Sequence, residues 1–204
     1  MTEAQVLDLF RRTGVLQEGH FQLSSGRHSG RYLQCARVLQ HPRAAARLGS
    51  ALARRLKRAL GREAPGERPD LVVGPALGGI LVAHEVARAL GVRALFCERE
   101  GGVMSLRRGF SIGPGERAVV VEDVVTTGGS VEEVLRVVAA AGGRPLAVGA
   151  LVDRGGGGVR LRGGLPLVAL VRLEVESYPP EACPLCAAGV PLEKPGSRPT
   201  PRGR

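Results

Sequence analysis

The sequence predicts an α/β fold: a mostly parallel, twisted sheet flanked by helices. Three observations carry that reading. Beyond residue 70, apolar runs of strand length alternate with amphipathic runs of helix length. Two of the strand runs, Leu71-Val72-Val73 and Ala118-Val119-Val120-Val121, are continuously apolar, as strands covered on both faces are. Each of the two leads into a Gly-rich turn and then a helix. The 204-residue length suits one domain of ordinary size with a small appended piece.

The elements follow in order. Val6, Leu9 and Phe10 fall at helical spacing and Gly14 sits at a C-terminal cap, which predicts a helix over 3–13. From Phe21 to Leu33 the chain turns polar and rich in Ser and Gly, with local alternation that predicts short strands around a turn. Residues 43–60 read as an amphipathic helix, with Leu48, Leu52, Leu56 and Leu60 on one stripe and Arg47, Arg54, Arg55 and Arg58 in solvent. A Gly/Pro-rich linker, 61–69, precedes the core. The core itself is predicted as strand 70–73, helix 79–90, strands 92–97 and 117–122, helix 130–141, and strands 146–152 and 166–172. Glu98 to Glu116, rich in Gly, Arg and Ser, is expected to be a mobile loop beside the sheet. The Pro/Arg/Gly tail after Lys194 is expected to fray. The chain thus divides into an N-terminal helix and polar segment (1–42), the α/β core (43–178) and a C-terminal tail (179–204).

Composition excludes several classes. With 44% hydrophobic and 24% charged residues the chain is neither disordered nor a membrane protein, and its longest apolar stretches fall far short of the roughly 18 to 20 residues of a span. The N-terminus lacks the pattern of a secretory signal, and four dispersed cysteines, Cys35, Cys97, Cys183 and Cys186, make no disulfide framework; both point to the cytoplasm. The net charge of +10 invites a nucleic-acid reading. Against it, the six aromatics form no interleaved aromatic and basic platform, so phosphate-rich small substrates and a solvated basic surface are the preferred account.

The chemistry concentrates in Glu122-Asp123-Val124-Val125-Thr126-Thr127-Gly128-Gly129-Ser130, where a buried strand ends in two acids and a Thr/Gly turn opens a helix. Ligands of open α/β sheets bind at such strand ends, and the free N–H groups of the helix start suit a phosphate. Ser130 and Glu133 have capping-box spacing. The adjacent acids suit ribose hydroxyls or a magnesium-bound sugar beside that phosphate. A second turn, Val73-Gly74-Pro75-Ala76-Leu77-Gly78-Gly79, could offer backbone N–H groups to a second phosphate.

Val120-Val121-Glu122-Asp123-Val124-Val125-Thr126-Thr127-Gly128-Gly129-Ser130 resembles the phosphoribosyl-pyrophosphate signature of type I phosphoribosyltransferases. Gly19-His20-Phe21-Gln22-Leu23-Ser24-Ser25-Gly26-Arg27-His28-Ser29 and Leu151-Val152-Asp153-Arg154 are similar to the orotate phosphoribosyltransferases within that group, and Cys183-Pro184-Leu185-Cys186 with Lys194 to Arg198 to a bacterial subgroup of them. The resemblance implies the type I fold with a small N-terminal hood. It implies transfer of a 5-phosphoribosyl group to orotate with magnesium, giving orotidine 5-phosphate and pyrophosphate in pyrimidine biosynthesis. Glu122 and Asp123 would hold the ribose hydroxyls of the donor, Thr126 to Ser130, with Val124 and Val125 behind them, its 5-phosphate, and Ala76 and Gly78 its pyrophosphate. Thr126 and Arg154 would meet orotate under a hood turn of Ser24, Ser25, Gly26 and Arg27. The Glu98 to Phe110 loop would be a lid whose cations Arg99, Arg107 and Arg108 serve catalysis with Asp123. In family dimers that loop can serve the neighbouring site, so a homodimer is implied. The chain departs from many relatives by having Gly102-Val103-Met104 where they carry Lys and His, and Ser24 and Gly78 where they carry Lys.

No protein metal ligands are expected for the magnesium, which the pyrophosphate would carry in. Cys183 and Cys186 have zinc-knuckle spacing but make half a site, and no His lies beyond His84, so zinc would require Cys35, Cys97 or a second subunit; reduced structural thiols are the reading preferred. His20 and His28 are placed where they could touch substrate, His41 in a loop and His84 on a helix surface. Two other functions share the donor motif. A purine-type transferase would not need the hood or Asp153-Arg154, and a nucleic-acid-binding regulator sensing the donor would not need the intact acid pair and hood.

Overall fold

The computed structural model describes residues 1–23, 25–61 and 68–195. The bulk of the predicted linker, residues 62–67, together with Ser24 and the terminal stretch 196–204, lies outside them. Helix α1 (Glu3–Thr13) starts with a capping box between Thr2 and Gln5, ends at Gly14 and buries Val6 and Phe10. Strands β1 (Leu16–Gln22) and β2 (His28–Leu33) form an antiparallel hairpin, and a single turn, α2 (Ala36–Leu39), leads into α3 (Pro42–Ala59). Proline at its first position and buried Leu48, Leu52 and Leu56 make α3 the amphipathic helix its periodicity predicts, except that Arg55, expected in solvent, is half-buried and donates to the Ala169 and Leu170 carbonyls at 2.6 and 3.0 Å.

The core then runs β3 (Leu71–Pro75), α4 (Gly78–Leu90), β4 (Arg93–Glu100), β5 (Val103–Leu106), β6 (Arg117–Val125), α5 (Gly129–Ala140), β7 (Arg144–Asp153) and β8 (Leu167–Arg172). These strands form one six-stranded sheet in the order β5-β4-β3-β6-β7-β8, parallel throughout except where β5 returns along β4. From β3 the chain winds outward to β4; it then crosses to β6 and winds the other way through β7 and β8. The direction therefore reverses between β3 and β6, the point at which open α/β sheets leave a crevice beyond their carboxyl ends.

Alternation along the central strands sends side chains to two cores. Val72, Val119 and Val121 pack with Leu48, Leu52 and Leu56 of α3 and Val82 and Val86 of α4. Leu71, Val73, Ala118 and Val120 pack on the opposite face with Val131, Val134, Leu135 and Val138 of α5. Each such valine or leucine contributes about 1.5–3 kcal/mol by leaving water, which explains the unbroken apolar runs Leu71 to Val73 of β3 and Ala118 to Val121 of β6. The tail contains α6 (Pro184–Ala187) and pairs with the N-terminal hairpin. Tyr178 exchanges both backbone hydrogen bonds with His28 at 2.8 Å, and Glu193 bonds to Gln22 at 2.7 Å and to His20 at 2.8 Å.

Two expectations are corrected. The Glu98 to Glu116 segment is not a loose loop at its start, because β4 runs on to Glu100 and turns back as β5 with Glu100 opposite Val103. Gly101 and Gly102, with φ of 57° and 86°, form the two-residue turn whose positive dihedrals match the twist of the strands. Met104 of the returning strand is buried with Leu95 and Cys97, which gives the hairpin an apolar anchor. The Ser130 and Glu133 capping box also does not form. The N-cap of α5 is Gly128, with no side-chain cap, so Glu133 lies too far along the helix to reach back.

Candidate active site

The two Gly-rich turns meet at the reversal point. At the end of β6, Glu122, Asp123 and Val124 are half-buried and Val125 is buried in the core, while Thr126, Thr127 and Gly129 are exposed. The valines thus give the site backbone and packing, and the threonines and glycine give it an open surface. The first N–H groups of α5 lack intrahelical acceptors and border this surface with the positive end of the helix dipole. Across the crevice, Ala76 donates its N–H to the Cys97 carbonyl at 2.7 Å, the Ala76-Leu77 peptide is cis, and Gly78 is exposed at the start of α4.

Asp123 joins the two turns. A Cβ on Gly78 would stand 2.7–2.8 Å from the Asp123 carboxylate, so only glycine lets the carboxylate lie against this turn. The carboxylate Oδ1 accepts the Val124 N–H at 2.8 Å. Burial pushes its carboxyl above the ordinary range, and the backbone hydrogen bonds oppose that rise.

Arg154 stands at the end of β7, anchored by its N–H to the Val125 carbonyl at 2.7 Å. Its side chain is half-buried and its Nε has no hydrogen-bond partner, an uncommon state for a buried donor. Desolvation lowers its proton affinity, and Tyr32 opposes that. Tyr32, on β2, is pushed up by burial and then by Asp123 and Cys35, with Arg154 acting against them. Hood, β6 and β7 therefore converge electrostatically on one spot. Of the hood turn, Ser25 and Arg27 are exposed and Gly26 has φ 82°. The Arg27 guanidinium points to the tail, where it donates to the Ser177 hydroxyl at 2.9 Å and to the Ser177 carbonyl.

The three arginines expected in the lid lie on or beside the β4–β5 hairpin, and each has a carboxylate of its own chain. Arg99 pairs with Glu133 of α5 at 2.6 Å. Arg107 meets Glu100 at 3.0 Å, and Arg108 grips Glu98 with two hydrogen bonds at 2.9 and 3.0 Å. Arg108 takes a left-handed backbone, φ 58°, and its guanidinium lies 6.0 Å from the Phe96 ring centre.

His20 and His28 leave the crevice altogether. They are only 2% and 4% exposed and turn toward Cys183 and Cys186 of the tail, which corrects their placement near substrate. The half-site at Cys183 and Cys186 finds its other half there, and not in Cys35, Cys97 or another subunit. Burial pushes Cys35 well up and Cys97 up to about 11, as expected of inert core thiols. His41 at the start of α3 and the exposed His84 of α4 lie as expected.

Sequence reasoning missed Tyr32, and it named Asp153 beside Arg154 without giving it a role. Tyr32 carried no local signal. Asp153, 1% exposed, accepts the N–H groups of Gly155 at 2.9 Å and Gly157 at 3.0 Å, and so fixes the turn that carries Arg154. An aspartate just before a glycine run was the available sign of such a turn.

Comparison with known proteins agrees with this geometry. Residues 36–165 match the model of the phosphoribosyl transferase domain family. The chain is 59% identical over 198 residues to an orotate phosphoribosyltransferase of Heliobacterium modesticaldum, covering 97% of this chain and all of that one. It is 54% identical to another from Pelotomaculum thermopropionicum over 97% of this chain and 99% of that one. Among solved structures, orotate phosphoribosyltransferase from Aeropyrum pernix superposes with a TM-score of 0.68 at 27% identity, covering 82% of this chain and 93% of that one.

Proposed function

The chain belongs to the orotate phosphoribosyltransferase family, and from that premise we propose that it transfers the 5-phosphoribosyl group of phosphoribosyl pyrophosphate to orotate. The observation that carries the choice of base is Arg154. A half-buried guanidinium with an unpaired Nε beside the hood suits the orotate carboxylate, which can accept two parallel hydrogen bonds, whereas a neutral purine leaves the cation unmatched.

The residues then divide the work. The α5 turn from Thr126 to Ser130 receives the 5-phosphate through backbone N–H groups and hydroxyls, and Glu122 and Asp123 hold the ribose hydroxyls. Positive charge develops on the ribosyl carbon as the bond to pyrophosphate breaks, and the nearby acids stabilise it. The turn at Ala76 to Gly78 receives the departing pyrophosphate. Arg99, Arg107 and Arg108 exchange their carboxylate partners for its oxygens as the hairpin closes, which also excludes water. Hard carboxylate oxygens beside a diol fit a magnesium ion brought in on the pyrophosphate; when bound, it would neutralise leaving-group charge. Support for a homodimer comes from Leu77 at 76%, Leu81 at 49% and Val103 at 68% exposure, large apolar side chains in or beside the crevice elements. Four free cysteines and the lack of any described helix long and apolar enough to cross a membrane support a cytoplasmic enzyme.

A base panel tests the reading. With phosphoribosyl pyrophosphate and magnesium, orotate is consumed and uracil, adenine, xanthine and hypoxanthine are not. Turnover of a purine in preference to orotate would overturn it, and donor binding without turnover of any base would favour a regulator. Sedimentation of the purified protein tests the dimer.

A further inference from the structure

We propose that His20, His28, Cys183 and Cys186 form a structural zinc site that fastens the C-terminal tail to the turn end of the hood hairpin. Their four ligand atoms lie within 4.8 Å of one another. A zinc ion bonded tetrahedrally to two sulfurs at about 2.3 Å and two nitrogens at about 2.05 Å requires an N–N edge of about 3.3 Å and N–S edges of about 3.6 Å. His20 Nε2 and His28 Nδ1 are 3.1 Å apart. The N–S edges are 3.5 Å from Cys183 to His20, 3.7 Å from Cys186 to His20 and 3.3 Å from Cys186 to His28. Four of the six edges are therefore at tetrahedral zinc length, and the other two are no longer than 4.8 Å.

The surroundings match a closed metal centre. His20 Nδ1 lies 2.8 Å from the Val190 carbonyl, a contact that needs the proton on Nδ1 and leaves the Nε2 lone pair facing the cluster. Metal-bound histidines are oriented by this kind of second hydrogen bond. His20, His28 and Cys183 are buried and Cys186 forms the outer wall. Two thiolates and two imidazoles make a soft donor set that selects zinc over magnesium or calcium. Four protein ligands leave no open coordination position, which makes the site structural. On binding, the two thiols lose their protons to solvent and the two thiolate charges offset those of the ion.

The ligands come from both ends of the chain. His20 lies on β1 and His28 on β2, either side of the hood turn, while Cys183 and Cys186 belong to the tail that also pairs with those strands. In a metal-free chain the same spot would hold two imidazoles and two thiols joined by one contact between the imidazoles at 3.1 Å and by weak hydrogen bonds to sulfur.

The test uses the full chain purified under reducing conditions. Elemental analysis is expected to give one zinc per chain, and replacement by cobalt(II) to give the visible bands of a tetrahedral site with a thiolate-to-cobalt charge-transfer band. The Cys183→Ser, Cys186→Ser double variant should lose at least about nine-tenths of the metal and the charge-transfer band. Cys186→His should keep one metal per chain with that band roughly halved, and it carries the test if the double variant does not fold. Reduced wild-type protein that takes up neither zinc nor cobalt overturns the proposal. So does a double variant that binds cobalt with unchanged affinity, a Cys186→His variant with an unchanged thiolate band, or a Cys183–Cys186 disulfide in the protein as isolated. None of these readouts involves orotate.

Discussion

Replacing Asp70 with asparagine probes the clamp that aligns the two site-bearing strands. Asp70 precedes β3 and Arg117 opens β6. The carboxylate takes the Arg117 N–H at 2.9 Å and its guanidinium at 2.7 and 2.8 Å, while Asp70 N–H donates to the Arg117 carbonyl at 2.8 Å. These bonds to Arg117 hold the Asp70 carboxyl down from 3.8 to about 2. At about 1.4 kcal/mol for each tenfold change in proton affinity, that drop sets a ceiling of about 2.4 kcal/mol. The Asp70 side chain is 36% exposed, so solvent screening reduces the figure to about 1 kcal/mol. For a chain of this size, Asp70→Asn should therefore lower Tm by about 2–4 °C at pH 7. The native carboxyl is depressed, so its stabilisation is complete above the unfolded value near 3.8 and disappears as the pH falls toward 2. Melting curves of both proteins from pH 7 downward should show a constant gap to about pH 5 that closes below about pH 4. Equal melting temperatures at pH 7, or a gap that persists undiminished to pH 2.5, would refute the assignment of the clamp to this ion pair.

Other outcomes follow from the site. Arg154→Ala should lower kcat/KM for orotate by about 10²- to 10³-fold, the loss of a paired, charge-assisted contact, with the donor KM changed far less; steady-state kinetics with each substrate varied checks this. Gly78→Ala drives a methyl group into the Asp123 carboxylate, and the donor KM should rise about 10-fold, a displacement of Asp123 costing about 1.4 kcal/mol; donor titration reads it. Asp123→Asn should abolish donor use at every base and yet raise Tm at neutral pH. The native Asp123 carboxyl is raised by burial, so its ionised form destabilises the free protein above that pKa and the penalty fades on acidification. Melting curves of both proteins at pH 8 and pH 5 should show the gap narrowing.

Much of this architecture could be read from the chain because its signals are local. The valine runs of β3 and β6, the leucine stripe of α3 and the glycines after each strand need no distant partner to be interpreted. The part of the hairpin from Glu98 to Leu106 failed for an opposite reason. Its composition looks like a loop, and only the Gly101-Gly102 pair between Glu100 and Val103 marks a tight turn. Ser130 and Glu133 have correct box spacing, but helix α5 begins at Gly129, so the spacing had no cap to serve. The pairing of the two histidines with Cys183 and Cys186 spans more than 150 residues and depends on the tail returning beside the hood, which no window of sequence reports.

The hairpin also decides how the enzyme first meets its anionic donor. Its three arginines are matched by Glu98, Glu100 and Glu133, so from a Debye length away, about 8–10 Å, the assembly is a set of closed dipoles with no net attraction for a polyanion. Long-range capture must come from the unmatched part of the +10 surface. In the proposed mechanism the guanidiniums would act only at contact, once their carboxylates had swung aside. Capture from a distance should thus weaken with ionic strength, while the grip of the closed hairpin is set by the exchange of one short-range anion for another.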